Sequence, residues 1–165
     1  MIQKKICLVG ALAVGKTSLV SRFVRSMFAE RYLSTVGVKI DRKLVRYGDD
    51  DVSLVIWDLA GEDAFEQVRL QYLRGSSGFI VVIDGTRPNT LDTAMRIQQR
   101  IDDEYGASPF VVAANKSDLA DEWTLRANSL TGLGGQSWSG IECSALNGSG
   151  VDTVFRTLTE RIMEP

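Results

Sequence analysis

The segment Gly10-Ala11-Leu12-Ala13-Val14-Gly15-Lys16-Thr17 is a glycine-rich loop that ends in a lysine and a hydroxyl residue. It matches the pattern GxxxxGK followed by Ser or Thr, comes directly after a predicted strand and opens a predicted helix. In this setting backbone N–H groups surround an anion, and the helix N-terminus adds the positive end of its dipole. Lys16 would neutralise the β- and γ-phosphates of a nucleotide, and the Thr17 hydroxyl would coordinate Mg²⁺. A chance match in a chain of this length has a probability of about 1%.

A carboxylate and a glycine follow the third apolar run, in the segment Asp58-Leu59-Ala60-Gly61. A carboxylate at this point can hold Mg²⁺ through water, and a glycine allows its N–H to approach a γ-phosphate. The spacing DxxG is weak alone, because about half of such matches are plain turns. It gains meaning only together with the glycine-rich loop.

The segment Asn115-Lys116-Ser117-Asp118 ends the fifth apolar run. Asp118 can accept two hydrogen bonds from guanine, from N1–H and from the 2-amino group. Adenine has an acceptor at N1, so it would leave the carboxylate unpaired, and the site would favour guanine by several orders of magnitude. Standing alone, the segment would be a solvated turn in about 30% of cases. Cys143-Ser144-Ala145 ends the sixth run and can present backbone N–H groups to the guanine O6.

The apolar pattern predicts the elements that must position these motifs. Short apolar runs alternate with longer amphipathic segments. Strands are predicted at residues 5–9, 38–47, 52–58, 78–83 and 110–114, with a sixth before residue 143. The turn at residues 48–51 makes the second and third strands a hairpin. The runs that end in Asp84 and Asn115 are continuously apolar, which is typical of strands buried on both faces.

Helices are predicted at about residues 15–25, at two later apolar stripes, and briefly near residues 122–130. The stripes consist of Leu91, Ala94, Ile97, Ile101 and Tyr105, and of Val151, Val154, Phe155, Leu158 and Ile162. Strands that alternate with helices indicate an α/β fold, a mostly parallel sheet covered on both faces, with the hairpin as an antiparallel edge. Ligands of such sheets lie at the carboxyl ends of the strands. We predict one domain, residues 1–165.

Composition excludes several classes of function. The chain has 165 residues, no histidine, and a formal net charge of −2 from 19 basic and 21 acidic residues. The absence of histidine excludes Ser-His-Asp and Cys-His catalysis, HExxH zinc sites and His-ligated haem. The charge does not favour nucleic-acid binding. Two lone cysteines, Cys7 and Cys143, form neither a zinc cluster nor a disulfide framework, which favours a reducing compartment.

No apolar run is long enough to cross a membrane, since the longest has about ten residues. Lys4 and Lys5 before a short apolar stretch are also typical of a signal peptide. We give that interpretation a probability of about 5%, because the same residues fit the glycine-rich loop better. We expect a cytoplasmic protein with no lipid anchor encoded in this chain.

Together, the four segments resemble those of the Ras-like small GTPases, most closely the Rab-type branch, over nearly the whole chain. A further resemblance places the first switch at residues 32–37, around Thr35, and Phe28 beside the guanine. Trp57-Asp58-Leu59-Ala60-Gly61-Glu62 resembles WDTAGQ, and Tyr72-Leu73-Arg74-Gly75 resembles the end of the second switch. The resemblance implies a P-loop NTPase G domain with a six-stranded sheet and five helices. The chain stops where eukaryotic members continue into a lipidated tail; either that tail was removed or the protein is a prokaryotic member, the reading we favour.

The resemblance also implies a site for GTP or GDP with Mg²⁺. The implied metal ligands are Thr17, Thr35 and Asp58. The implied catalytic residues are Lys16, Gly61 and Glu62. The implied nucleotide contacts are Ala13, Val14, Gly15, Lys16, Thr17, Ser18, Phe28, Thr35, Gly61, Asn115, Lys116, Asp118, Ser144, Ala145 and Leu146.

Three positions depart from the family. Glu62 stands where the family has the Gln that positions the attacking water, and an ionised carboxylate cannot donate a hydrogen bond. At about 5 Å and an effective dielectric near 20, its repulsion of the transition state is about 3 kcal/mol, or about 10²-fold in rate. Leu12 would crowd the γ-phosphate and an incoming arginine finger. Leu146 replaces a lysine whose stem packs along guanine, so we expect faster nucleotide dissociation.

We therefore expect a monomeric switch with slow GTP hydrolysis. Effector, exchange and activating proteins would dock at the switches. The candidate surface consists of Val38, Ile40, Arg42, Trp57, Val68, Leu70 and Tyr72, although about half of these are expected to be core or solvated strand positions. A module that signals by occupancy with negligible turnover is the alternative that Glu62 and Leu12 support. A P-loop kinase that uses ATP is disfavoured by Asp118.

Overall fold

A computed structural model describes residues 1–25, 38–59, 70–125 and 140–164. Six strands and three α-helices lie in these ranges. Along the chain they are β1 (Ile2–Gly10), α1 (Lys16–Arg25), β2 (Val38–Tyr47), β3 (Asp50–Leu59), β4 (Gly78–Asp84), α2 (Asn89–Tyr105), β5 (Phe110–Asn115), β6 (Gly140–Glu142) and α3 (Val151–Met163), with 3₁₀ turns at Leu70–Leu73 and Ala120–Glu122.

The six strands form one sheet in the order β2-β3-β1-β4-β5-β6. β2 pairs antiparallel with β3 at one edge, and every other pair is parallel. This confirms the predicted mostly parallel sheet with one antiparallel edge strand. β1 begins three residues earlier than predicted, because Ile2 continues the parallel ladder opposite Val52.

The hairpin turn is shorter than predicted. Tyr47 pairs with Asp50, so only Gly48 and Asp49 form the turn, and Gly48 adopts the left-handed φ of +58°. Asp51 pairs with Arg46 across the strands, and their side chains form an exposed ion pair at 3.1 Å. Two of the acidic residues that indicated a turn therefore begin β3, because a cross-strand partner compensates their low strand propensity.

The prediction of a short helix near residues 122–130 is wrong for the part of that segment that the structure describes, residues 122–125. Only the 3₁₀ turn Ala120–Glu122 is helical, and Trp123 is extended. The N–H groups of Thr124 and Leu125 both donate to the Gly85 carbonyl, at 2.9 and 3.2 Å, which ties this segment to the end of β4 and prevents a helix there. Residues 126–130 lie outside the described ranges. The ranges described hold three of the five expected helices.

Hydrophobic residues fill both faces of the sheet, as the continuous apolar strands predict. In β1, Ile6 and Leu8 belong to the cluster packed under α1 and α3, while Cys7 and Val9 belong to the cluster under α2. Both predicted stripes contribute buried residues to these clusters, on α2 and α3. Among the described helices, none is long and apolar enough to cross a membrane.

Candidate functional site

The residues at the carboxyl ends of the buried strands, several of them polar, meet at one edge of the sheet. β1 ends at Gly10, β4 at Asp84 and β5 at Asn115, all on parallel strands, and Asp58 is the penultimate residue of β3. Because parallel strands share a direction, their carboxyl ends bring these groups together. The loop between β1 and α1 lies across this edge.

The loop between β1 and α1 depends on glycine at two positions. Gly10 has φ +153°, and a Cβ there would lie 2.4 Å from the Val82 carbonyl oxygen. Gly15 has φ +98°, and a Cβ there would lie 2.3 Å from the Asn115 side-chain nitrogen. Ala13 adopts the left-handed φ of +61° although it carries a Cβ. The tight turn is therefore built by two glycines and one strained alanine.

Three successive carbonyls of the loop accept hydrogen bonds from side chains. Arg87 donates from Nη2 to Leu12 O at 2.9 Å. Lys116 donates from Nζ to Ala13 O at 3.0 Å, and Asn115 donates from Nδ2 to Val14 O at 2.9 Å.

These bonds orient the amide groups that follow. In a planar trans peptide the N–H points away from the C=O. The amides of Ala13, Val14 and Gly15 therefore point away from the three donors. Successive backbone N–H groups in a turn of this kind can bind an anion.

Lys16 lies inside the loop and is almost fully buried. Its Nζ donates to Gly10 O at 3.1 Å and to Ala11 O at 2.9 Å. Burial lowers the pKa of Lys16 to about 8, and the charge of Asp58 opposes that shift. A buried ammonium that donates to backbone carbonyls is poised to pair with an anion.

Thr17 and Asp58 form the second part of the site. The Thr17 hydroxyl donates to Asp58 Oδ2 at 2.5 Å, and Asp58 is fully buried. Burial raises the pKa of Asp58, although the Thr17 hydrogen bond and Lys16 oppose this. Among the described residues, Asp58 Oδ1 has no hydrogen-bond partner. A buried carboxylate oxygen without a partner beside a hydroxyl fits Mg²⁺, which prefers oxygen ligands.

No group of three or more His, Cys, Asp or Glu side chains in the described ranges could hold a metal by itself. A Mg²⁺ site here would therefore consist of the Thr17 and Asp58 oxygens, completed by waters and by phosphate oxygens, as is usual for this ion. The predicted third protein ligand, Thr35, lies outside the described residues.

A cavity of about 450 Å³ opens beside the loop. It is lined by Ala13, Gly15, Ser18, Asn115, Lys116, Asp118, Leu119, Ala145 and Leu146. Asn115 connects two sides of the cavity, because its Nδ2 donates to Val14 O while its Oδ1 accepts the Ala145 N–H at 3.2 Å. Ser144 donates to Asp118 Oδ1 at 2.7 Å, which orients the carboxylate. The cavity is largely apolar with one fixed carboxylate, a combination that suits a heterocyclic base with N–H donors.

Arg22 of α1 contacts the backbone of Ala145 and Leu146, two residues that line the cavity. Its Nε donates to Ala145 O at 2.9 Å, and its Nη2 donates to Leu146 O at 2.5 Å. The Leu146 side chain is 51% exposed, so its backbone is fixed while its side chain remains accessible to a ligand. The helix that begins with Lys16 is thus tied directly to the loop after β6.

The structure brings most predicted site residues to this edge. The predicted nucleotide contacts that the structure describes lie around the loop or the cavity; they fall within residues 13–18, 115–118 and 144–146. Asp58 lies beside Thr17. Phe28, Thr35, Gly61 and Glu62 lie outside the described residues.

Three charged residues of this edge were not predicted to belong to the site: Arg22, Asp84 and Arg87. Asp84 was recognisable, because it ends a continuously apolar strand as Asn115 does. No pattern in the sequence indicated the two arginines, because long side chains reach the site from elements whose ends carry no motif.

Comparisons with known proteins agree over nearly the whole chain. The sequence model of the Ras family matches residues 5–164. Ras-related protein Rab-7L1 of Rattus norvegicus is 31% identical over 169 residues, which covers 96% of this chain and 81% of that protein. Ras-related protein Rab-1 of Theileria parva is 31% identical, covering 97% and 74%. Ras-related protein RABA5b of Arabidopsis thaliana is 35% identical, covering 96% and 74%.

Proposed function

The chain belongs to the Ras family of small GTPases, and from this premise we propose that it is a switch that binds GTP and GDP with Mg²⁺ and hydrolyses GTP slowly. The proposal treats residues 1–165 as a single G domain. The observation that carries it is the convergence of Lys16, Thr17, Asp58 and Asp118 at one edge of the sheet, around a loop whose carbonyls are held by side chains.

The phosphate end of the site would bind by charge and by oriented amides. The amides of Ala13, Val14 and Gly15 would receive the phosphate oxygens, and the Lys16 ammonium would move from the loop carbonyls to the β- and γ-phosphates. Thr17 and Asp58 would hold Mg²⁺ together with Thr35. When bound, the ion neutralises charge that builds up on the phosphates.

The base end of the site would select guanine. Asp118 would accept the N1–H and the 2-amino group, while Ser144 keeps one carboxylate oxygen in place. Adenine would leave a partly buried charge unpaired, and such a loss costs orders of magnitude in affinity. Lys116 and Leu146 would cover the faces of the base, because both line the cavity.

We propose that hydrolysis is slow because Glu62 and Leu12 both disfavour the transition state. Glu62 would stand beside Gly61 near the γ-phosphate, where a carboxylate cannot donate a hydrogen bond to the transferring group. Leu12 lies on the loop with its side chain 45% exposed, which supports its crowding of an arginine supplied by an activating protein.

Hydrolysis and selectivity are tested with one purified protein. GTP, and not ATP, should displace a fluorescent GDP derivative at micromolar concentrations. Single-turnover hydrolysis with Mg²⁺ should be slow and should accelerate about 10²-fold in Glu62→Gln, because the substitution restores a donor and removes a charge. Equal rates in the two proteins would contradict the role given to Glu62. Turnover that is undetectable in both would favour the alternative, a module that signals by occupancy alone.

Partner proteins would bind beside the switches, on a surface that includes exposed apolar residues of the hairpin. Ile40 of β2 is 49% exposed and pairs with Trp57 across the strands. The Trp57 ring lies 6.5 Å from the ring of Tyr72, and the Lys5 ammonium lies 3.7 Å from the Trp57 ring centre. Half-buried aromatic rings beside an exposed aliphatic side chain are typical of a protein-binding surface.

A further inference from the structure

Arg87 contacts the phosphate-binding loop although it belongs to none of the motifs that define the site. It follows β4, and its Nη2 donates to Leu12 O at 2.9 Å while its Nε pairs with Asp84 Oδ2 at 2.9 Å. We propose that Arg87, anchored by Asp84, is a positioning residue that fixes the Leu12 carbonyl and thereby the loop amides that bind the β-phosphate. This inference rests on the proposed nucleotide site and names a residue that sets its affinity.

Asp84 can serve as an anchor because its carboxylate is buried and fully hydrogen-bonded. Oδ1 accepts from the Thr86 N–H at 2.8 Å and from the Thr86 hydroxyl at 2.6 Å. Oδ2 pairs with Arg87 and with the Lys116 ammonium, which lies 2.8 Å away. Burial alone would raise the pKa of Asp84, but the donors from Lys116, Thr86 and Arg87 together lower it to about 2. The anchor is therefore ionised at neutral pH.

Two cations share this anchor, and each reaches a different carbonyl of the loop. Lys116 holds Ala13 O and Arg87 holds Leu12 O. The two contacts of Arg87 use different nitrogens of its rigid, planar guanidinium group. A single side chain therefore connects Asp84, at the end of β4, to the loop. Lys116 makes its own bridge from one ammonium. A lysine in place of Arg87 would have one nitrogen to replace two that a rigid plane holds apart.

This loop has a particular need for such support. Ala13 in the loop and Lys116, which contacts the loop from the end of β5, both adopt left-handed backbone conformations, with φ of 61° and 71°. Residues other than glycine persist in that region only when surrounding contacts hold them there. The bridge from Asp84 through Arg87 acts on Leu12, the residue directly before Ala13. It therefore restrains the peptide that leads into the strained position.

A positioning role predicts an effect that depends on the ligand's phosphates. The loop cradles the inner phosphates, so a misplaced amide row weakens GDP more than GMP, which lacks the β-phosphate. A general loss of folding would weaken both ligands alike. The ratio of the two affinities thus separates positioning from mere stability.

The experiment compares Arg87→Ala, Arg87→Lys and a matched control, Arg96→Ala, which removes an exposed arginine from α2. Equilibrium competition against a fluorescent guanine nucleotide, with Mg²⁺, gives the dissociation constants of GDP and GMP. We expect the GDP constant to rise about fivefold in Arg87→Ala, with GMP changed less than twofold and Arg96→Ala unchanged. Arg87→Lys, which keeps the charge beside Asp84 and so preserves the fold, should recover less than half of the loss.

An unchanged GDP constant in both Arg87 variants would overturn the inference while leaving the proposed function intact. Equal weakening of GDP and GMP would also overturn it, since that result indicates a structural role. A wild-type chain that binds neither GDP nor GMP would instead overturn the proposed function on which the inference rests.

Discussion

The two ends of the candidate site are held in different ways. At the phosphate end, the cations Lys16, Arg87 and Lys116 hold the carbonyls of four successive loop residues, 10–13. At the base end, the uncharged Asn115 side chain accepts from the Ala145 N–H, and the uncharged Ser144 hydroxyl donates to one carboxylate, Asp118. The phosphate end therefore depends on several cations, and the base end depends on one carboxylate and on the uncharged groups that orient it.

The difference suits what each end would bind. Phosphates bring negative charge, so a loop already held by cations gains Coulomb energy when they arrive. A base brings little charge, so its recognition rests on hydrogen bonds that only one base can complete. We expect substitutions at the phosphate end to change affinity for all nucleotides with a β-phosphate. Substitutions at the base end should weaken every guanine ligand alike.

A large effect at the phosphate end is expected for Asp58. Asp58→Asn keeps the shape of the side chain but removes the charge that would hold Mg²⁺ beside Thr17. We expect GDP affinity measured with Mg²⁺ to fall on the order of 10²-fold, while affinity measured with a chelator changes little. Asp51→Asn, an exposed carboxylate of the same strand, is the control. If Mg²⁺ raises the GDP affinity of the Asp58→Asn protein as much as that of the wild type, Asp58 is not a ligand of the metal.

Asp84 gives a prediction about stability and pH. Its pKa in the folded chain is about 2, below the usual 3.8, so its carboxylate stabilises the fold above about pH 4. That contribution is lost as the pH falls toward 2. We expect Asp84→Asn to be less stable than the wild type at pH 7, and the difference in free energy of unfolding to shrink at pH 3. Urea denaturation at both pH values measures it, and a difference that stays constant would contradict the assignment.

The smallest effect concerns Arg22, at the base end. Arg22→Ala removes the donors to the Ala145 and Leu146 carbonyls. We expect GDP and GMP to dissociate about fivefold faster, each by the same factor, because both carry the guanine. Arg25→Ala, on the same helix and paired with Asp41, is the control. An effect on GDP alone would show that the two ends are not separate in function.

Much of this fold could be predicted because local and long-range signals agree. The continuously apolar run of β4 is a strand as predicted, and the glycine-rich loop joins a strand to a helix as predicted. The turn at Gly48 was predicted too long, because Asp51 finds a cross-strand partner that local propensity does not reveal. The segment after Glu122 was predicted as helix because its docking on Gly85 depends on an element far away in sequence.

Within the candidate site, motif residues could be predicted and supporting residues could not. Lys116 and Asn115 occur in a recognisable order, so their meeting with the loop follows from the strand assignments. Arg87 reaches Leu12 across 75 positions of sequence, and Arg22 reaches Leu146 across 124. Contacts of this kind depend on the rotamers and lengths of surface side chains, which periodicity and spacing do not encode.

The central claim is that a guanine nucleotide binds between Lys16 at one end and Asp118 at the other. Its most direct test is the equilibrium affinity for GDP, measured by calorimetry with Mg²⁺, in the wild type, Lys16→Ala and Asp118→Ala. We expect tight binding by the wild type and a loss on the order of 10³-fold in each variant, since each loses a charged partner of the ligand. Affinity for GDP that is unchanged in both variants would contradict the account.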